Sequence, residues 1–190
     1  MPAWTFIRHG QSLANAQGWF AGQRDAPLTD LGREQASIAA AQVEKTEFDR
    51  ALCSDLSRAH DTALRILKGR NIPLQVTPAL RERGCGSWEG RPIAELEAEG
   101  VMPQFAGWRT RPGAGESLRD VARRVCALFA ELPSRSSTLV VSHGALMRAV
   151  LGCLDDRPTN EIGQWRPKNC EVATREVSVA RWRDLSATLG

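Results

Sequence analysis

A chain of 190 residues, 42% hydrophobic and 25% charged, is long enough for one substantial core and short for two, and its balance excludes a disordered polypeptide. No apolar run reaches bilayer-spanning length, and a formal charge of +3 without a basic stripe interleaved with aromatics excludes a membrane span and argues against nucleic-acid binding. Five cysteines lacking Cys-x-x-Cys spacing and only three histidines suggest neither a disulfide framework nor a structural zinc site, so no metal or other cofactor is implied. The N-terminus enters a strand pattern without the regions of a signal peptide, and a cytoplasmic protein is expected.

In chain order, Trp4 to Arg8 predicts a strand that stops at His9-Gly10. Leu31 to Val43, following Pro-Leu-Thr-Asp, predicts a helix, and Arg50 to Ser54 a second strand. Leu56, Ala59, Ala63, Ile66 and Leu67 recur at helical steps over Leu56 to Leu67, and Leu74 to Thr77 predicts a third strand. Residues 84–115, rich in Gly, Pro and Trp, have a weaker pattern and look like a cap-like excursion beside the sheet. The clearest helix is Leu118 to Leu132, where Ser117 and Asp120 resemble a capping pair and Leu118, Val121, Ala122, Val125, Leu128 and Phe129 share one face. Thr138 to Ser142 predicts a strand that ends, like the first, in His-Gly, with a helix after His143 burying Leu146, Met147, Val150, Leu151 and Leu154. The alternating Glu176 to Trp182 predicts a last strand. Strands alternating with helices imply one α/β domain over residues 1–190, a three-layer α/β/α sandwich on a mostly parallel mixed sheet.

In such a sheet, ligands gather beyond the carboxyl ends of the strands. His9 and His143 both fall there, each followed by a glycine that would let backbone approach a ligand, and the helix opening at Gly144 offers free N–H groups to an anion. Arg8 adds a fixed charge, and Arg58 sits just inside a helix that begins at another strand end. Two arginines, two histidines and helix N-termini make a phosphate pocket, because the guanidinium fork matches phosphate oxygens and neutral imidazole is a nucleophile. Glu82, beyond the third strand, would donate a proton to the leaving oxygen if buried. Each residue taken singly has a structural alternative, Arg8 and Arg58 as ion-pair partners and Glu82 or Glu89 as a partner of Arg81, Arg83 or Arg91.

These segments resemble the histidine phosphatase superfamily, also described as phosphoglycerate-mutase-like. FIRHGQSLAN from Phe6 to Asn15 is similar to its Arg-His-Gly signature and SDLSRAHDTA from Ser54 to Ala63 to its second arginine motif. LRERGCGSWEG from Leu80 to Gly90 is similar to its acid motif. DAPLTDLGREQA, PGAGESLRDVARRV and VVSHGALMRAVL complete the family order over nearly the whole chain. The resemblance implies attack on phosphorus by His9, protonation of the leaving group and activation of water by Glu82, and stabilisation by Arg8, Arg58 and His143. It further implies substrate contacts from Asn15, Gly22, Arg83 and Gly144, with no metal. Asp61 departs from the glutamine common in the second motif and puts the surroundings of Arg58 in question.

The implied partner is a small phosphorylated substrate, with a phosphatase favoured over a mutase because the excursion is short and lacks a tyrosine-bearing motif. The resemblance is closer to small broad-specificity and α-ribazole phosphatases. Arg83, Arg109 and Arg111 are candidates for a carboxylate or second phosphate on the substrate, and Cys85 for lining the pocket. A non-catalytic phosphoprotein-binding module would be expected to lose His9 or Glu82, and both are present. Tryptophan-bearing surfaces are compatible with a homodimer.

Overall fold

The computed structural model describes residues 1–133 and 136–190. The chain runs β1 (Ala3–Arg8), α1 (Leu13–Gln17), α2 (Asp30–Gln42), β2 (Arg50–Cys53), α3 (Ser57–Ile66) and β3 (Leu74–Val76), then α4 (Ile93–Ala98) within the excursion. It continues through α5 (Leu118–Ala130), β4 (Thr138–Ser142), α6 (Gly144–Leu154), α7 (Thr159–Ile162), β5 (Val172–Glu176) and α8 (Val179–Leu189). The strands form one sheet in the order β3-β2-β4-β1-β5, parallel except for the antiparallel β5.

Strand alternation decides which layer each side chain joins. Trp4, Phe6, Leu52 and Val140 face α5, α6 and α8, whereas Ile7, Ala51, Cys53, Leu139 and Val141 face α2 and α3. Both faces of the central β4 are therefore covered, and all five of its residues are buried. The start of α5 is the expected capping box: Ser117 Oγ accepts from the Asp120 N–H at 3.0 Å, and the Asp120 carboxylate accepts from the Ser117 N–H at 2.9 Å.

The last strand differs from expectation. Extended pairing covers Val172–Glu176 and ends there; Ser178 then accepts from the Arg181 N–H at 3.1 Å and caps α8. The alternation of Val177, Val179 and Arg181 is thus interrupted by a helix start, and Val179, Trp182, Leu185 and Leu189 form the buried stripe of α8. Tertiary packing selects the helix: the Trp182 ring meets Trp4 at 5.0 Å and Phe129 at 4.9 Å between centroids. The short helices α1, α4 and α7 were also outside the sequence expectation, being too brief to show a period.

Residues 84–115 pack Cys85, Trp88 and Leu96 with Phe20, Met102 and Phe105 in a small cluster of their own. Paired backbone bonds, Phe20 N–H to Arg91 carbonyl at 2.9 Å and Gly90 N–H to Phe20 carbonyl at 2.7 Å, tie the excursion to the loop after α1. It therefore lies across the end of β1.

Trp182→Ala removes the largest side chain shared by α8, α5 and β1, and it should destabilise the fold by about 3–5 kcal/mol in urea titration. A loss below about 1 kcal/mol would show that α8 is not part of the cooperative core.

Candidate active site

Register places the two histidines together. Arg8 lies opposite Ser142 in the β1–β4 ladder, so the next residues, His9 and His143, emerge side by side with ring centroids 5.1 Å apart. Both are buried. The His9 Nδ1 lies 2.7 Å from the Gly10 carbonyl, which can only accept, so Nδ1 carries the proton and Nε2 keeps its lone pair. Burial, then the Arg58 and Arg8 charges, push the His9 imidazolium well below the ordinary value, and burial with Arg58 and His9 does the same to His143. Two neutral imidazoles are the result, one aimed as a nucleophile.

The backbone around His9 is pinned by three hydrogen bonds. Its N–H donates to the Ser142 carbonyl at 2.9 Å, its carbonyl accepts from Asn169 Nδ2 at 3.0 Å, and the Gly10 N–H donates to Thr62 Oγ1 at 3.1 Å. Gly10 is needed because a Cβ there would lie 2.2 Å from the Gly32 carbonyl oxygen. The close approach is to the first turn of α2, a correction to the expected approach to ligand; at Gly144 the nearest atom to such a Cβ is Arg8 Nε at 3.5 Å, so that glycine does border the charged site.

Arg58 is positioned by a loop rather than by its own helix cap. Leu56 offers α3 no capping side chain, and the Asp25 carboxylate accepts from both the N–H and the hydroxyl of Ser57 at 2.9 Å. The same loop holds the buried Arg58 through the Gly22 carbonyl at 2.8 Å and the Arg24 carbonyl at 3.0 Å. Gly22 has φ +52°, and a Cβ would collide with the Glu89 carboxylate. Asp61 is exposed and takes no part; Thr62, the next residue, bonds the Arg58 carbonyl at 2.7 Å and links it to Gly10. Arg8 likewise rests on a carbonyl, that of Pro167 at 2.7 Å, while its Nε is buried without a protein partner. Ser142 Oγ and both His143 ring nitrogens are also buried and unpartnered.

Glu82 reaches the site from the loop after β3. Its carboxylate accepts from the Ala145 N–H at 3.1 Å, in the first turn of α6, and from the Arg83 N–H at 2.9 Å. Arg124 on α5 holds that loop, donating to the Arg81 and Glu82 carbonyls at 2.7 and 3.1 Å. Arg8, His9, Asn15, Gly22, Arg58 and Glu82 all line one cavity of about 290 Å³, roofed by Trp19, Phe20, Met102 and Phe105. Asn15 Oδ1 accepts from the Ser12 N–H at 3.2 Å and from Asn169 at 3.3 Å.

Two expectations change. Arg83 borders the cavity, but its guanidinium donates to the carbonyls of Glu116, Phe105 and Thr110 at 2.6 to 2.7 Å, so it braces the excursion instead of gripping substrate. Arg111 pairs with Asp120 at 3.0 Å, and Arg109 is exposed outside the cavity. Cys85 does line the cavity; burial, with the Glu82 charge, pushes its thiol up to about 12, leaving it inert. Sequence reasoning missed Asn169, which lies in a turn with no periodic signal, and Arg148 and Arg166, which line an adjoining chamber of about 120 Å³. Arg148 did carry a signal, a charged residue amid the apolar run of α6.

The fold and this pocket define a phosphoglycerate-mutase-like protein, and the family model of the histidine phosphatase superfamily (branch 1) matches residues 4–186. The chain belongs to that superfamily and is an enzyme of it. A Yersinia pestis protein named "Probable phosphoglycerate mutase GpmB" is 32% identical over 188 residues, covering 93% of this chain and 85% of the relative. A mycobacterial glucosyl-3-phosphoglycerate phosphatase solved with VO3 superposes with a TM-score of 0.84 at 28% identity, covering 92% of this chain and 90% of its own. The α-ribazole phosphatase from Shigella flexneri gives 0.79 at 28%, with 93% and 91% covered.

The neutral, buried imidazoles have a measurable consequence. Below the ordinary imidazole value of about 6.5 the unfolded chain binds protons that the folded chain does not, so stability falls as pH drops from there toward the depressed folded values. Each group adds a slope of up to about 1.4 kcal/mol per pH unit. Urea titrations between about pH 7 and pH 5 should show a shallower dependence for the His9→Gln/His143→Gln pair than for wild type; equal slopes would contradict the neutral assignment.

Proposed function

We propose that this enzyme hydrolyses small phosphomonoesters through a phosphohistidine on His9. The observation that carries the reading is the fixed tautomer of His9, whose lone-pair Nε2 belongs to a buried ring in a cavity also lined by Arg8, Arg58 and Glu82. In the first step Nε2 attacks phosphorus, the ester P–O bond breaks, and the leaving alkoxide takes a proton from Glu82. In the second, the Glu82 carboxylate accepts a proton from water, the oxygen attacks phosphorus, and the P–N bond breaks to return neutral His9. No step calls on a metal or other cofactor.

Arg8, Arg58, His143 and Asn15 hold the equatorial oxygens, where donors contribute most as charge redistributes. In this reading the Ala145 N–H orients the Glu82 carboxylate. Asn169 and Thr62 are positioning residues that hold the backbone of His9. Gly22 acts through its carbonyl on Arg58, and Gly144 through the clearance it leaves beside Arg8.

The reading extends to a single domain over residues 1–190 with 84–115 as its cap, working in the cytoplasm on small metabolites without nucleic-acid or membrane partners. Among the described residues, no helix is long and apolar enough to cross a membrane. The names of the phosphatase neighbours support hydrolysis. Phosphoryl transfer between hydroxyls is the second reading, favoured by the name of the Yersinia relative.

With a chelator present, wild type should release phosphate from a panel of esters, and His9→Ala should lose at least about a thousandfold in kcat while keeping its melting temperature. Isomer formation from 3-phosphoglycerate without release would select the mutase. Glu82→Gln should slow alkyl esters far more than activated aryl esters, since only poor leaving groups need the proton; equal slowing would remove Glu82 from the acid role.

A further inference from the structure

The turn that holds Arg58 and the loop that carries Glu82 meet at the side chain of Gln23. Its neighbours in the chain, Gly22 and Arg24, supply the carbonyls that accept from the Arg58 guanidinium at 2.8 and 3.0 Å. Gln23 itself bonds to the acid loop and its surroundings. Its N–H donates to the Glu89 carboxylate at 3.0 Å, and its Nε2 donates to the Glu82 carbonyl at 3.2 Å and to the Glu116 carboxylate at 3.3 Å. Burial pushes the Glu116 carboxyl up, but the Arg124 guanidinium at 2.9 Å and the Gly84 N–H at 2.8 Å outweigh it, so Glu116 stays ionised. Both partners of the Gln23 Nε2 can therefore only accept, and the amide is fixed with its nitrogen toward the acid loop.

That loop depends on such contacts, because residues 81–85 belong to no helix or strand. Their backbone is held by side chains from elsewhere: Gln23 and Arg124 on the Glu82 carbonyl at 3.2 and 3.1 Å, Glu116 on the Gly84 N–H, and Glu89 on the Cys85 N–H at 2.9 Å. Glu89 Oε1 accepts from Cys85 and Gln23 alike, and it sits so close to the turn that a Cβ on Gly22 would lie 2.2 Å from it. From this held backbone the Glu82 carboxylate reaches the Ala145 N–H. Misplacing a reacting group by about 1 Å is enough to cost on the order of a hundredfold in rate.

We infer that Gln23 is a positioning residue that fixes the separation between Arg58, which holds the phosphoryl group, and Glu82, which protonates the leaving oxygen. The backbone on either side of Gln23 sets the first, and its amide sets the second. The inference rests on the proposed acid role of Glu82. Esters whose leaving oxygen needs a proton then depend on Gln23, and activated esters do not.

Arg124 also donates to the carbonyls of Ala79 and Arg81, so its replacement endangers the whole loop and Gln23 carries the test. Gln23→Met keeps the length of the side chain and removes its donor; Gln23→Ala is the second variant and should give the same pattern. kcat and KM are measured for glycerol 1-phosphate and for p-nitrophenyl phosphate with wild type, each Gln23 variant, Glu82→Gln and the double variants. Gln23→Met should lower kcat for the alkyl ester by at least about tenfold, with KM and melting temperature little changed, and kcat for the aryl ester by less than about threefold. In the Glu82→Gln background the same substitution should cost the alkyl ester less than about twofold, because the amide acts through the group already removed. Equal slowing of both esters, an unchanged kcat, or an undiminished loss in the Glu82→Gln background overturns the positioning role, while a selective loss in Glu82→Gln alone leaves the acid reading standing. Equal slowing of both esters by Glu82→Gln, or no turnover of either ester by wild type, overturns both.

Discussion

Backbone carbonyls, not carboxylates, hold the arginines that surround the cavity. Arg8 leans on Pro167, Arg58 on Gly22 and Arg24, Arg83 on Glu116, Phe105 and Thr110, and Arg148 and Arg166 on Gly163. A carbonyl satisfies a donor and fixes the side chain's direction, but it leaves the charge uncompensated. Some arginines away from the cavity are paired with carboxylates instead: Arg175 pairs with Asp155 at 2.7 Å and Arg81 with Asp55 at 2.6 Å. The uncompensated charge would favour a dianion in the pocket and, after burial, helps keep both imidazoles neutral. It also depresses the stability of the unliganded chain, because buried charge without a counter-ion is costly.

The scaffold meets this cost with two devices. The register of β1 on β4 delivers His9 and His143 side by side without any contact between the histidines having to organise them. The first turn of α6 then serves twice, with His143 as its cap residue and the Ala145 N–H holding Glu82. A helix N-terminus thus holds the Glu82 carboxylate, while the loop of residues 22–25 and the α5 arginine Arg124 hold the remaining walls. The excursion closes over the open side with apolar rings, so the phosphoryl group would enter a site whose dielectric favours its charged partners.

Much of this was legible in the residues. Both strands ending in His-Gly, and Arg58 at the head of the helix after β2, are local patterns, and the sheet brings His9 and Arg58 to one cavity with His143 buried beside His9. The β5 to α8 region was not legible, because Val177, Val179 and Arg181 alternate as a strand would and only the packing of Trp182 against Trp4 and Phe129 selects the helix. Arg83 shows the opposite limit: its position beside Glu82 suggested substrate contact, and three carbonyls brought in by the fold of residues 105–116 absorb its donors. Asn169 and Arg166 lie in a turn whose composition has no period, so their approach to His9 and Phe105 is a property of tertiary structure alone.

In the proposed mechanism a single buried imidazole nitrogen, left bare by the bond from its ring partner to the Gly10 carbonyl, receives the phosphoryl group. It is tested most directly by quenching the enzyme in base during turnover of a labelled ester and mapping the label by mass spectrometry and phosphorus NMR. An acid-labile, base-stable phosphoryl group on Nε2 of His9 is expected. Label on Nδ1, on His143 or on no residue while phosphate is still released would contradict it.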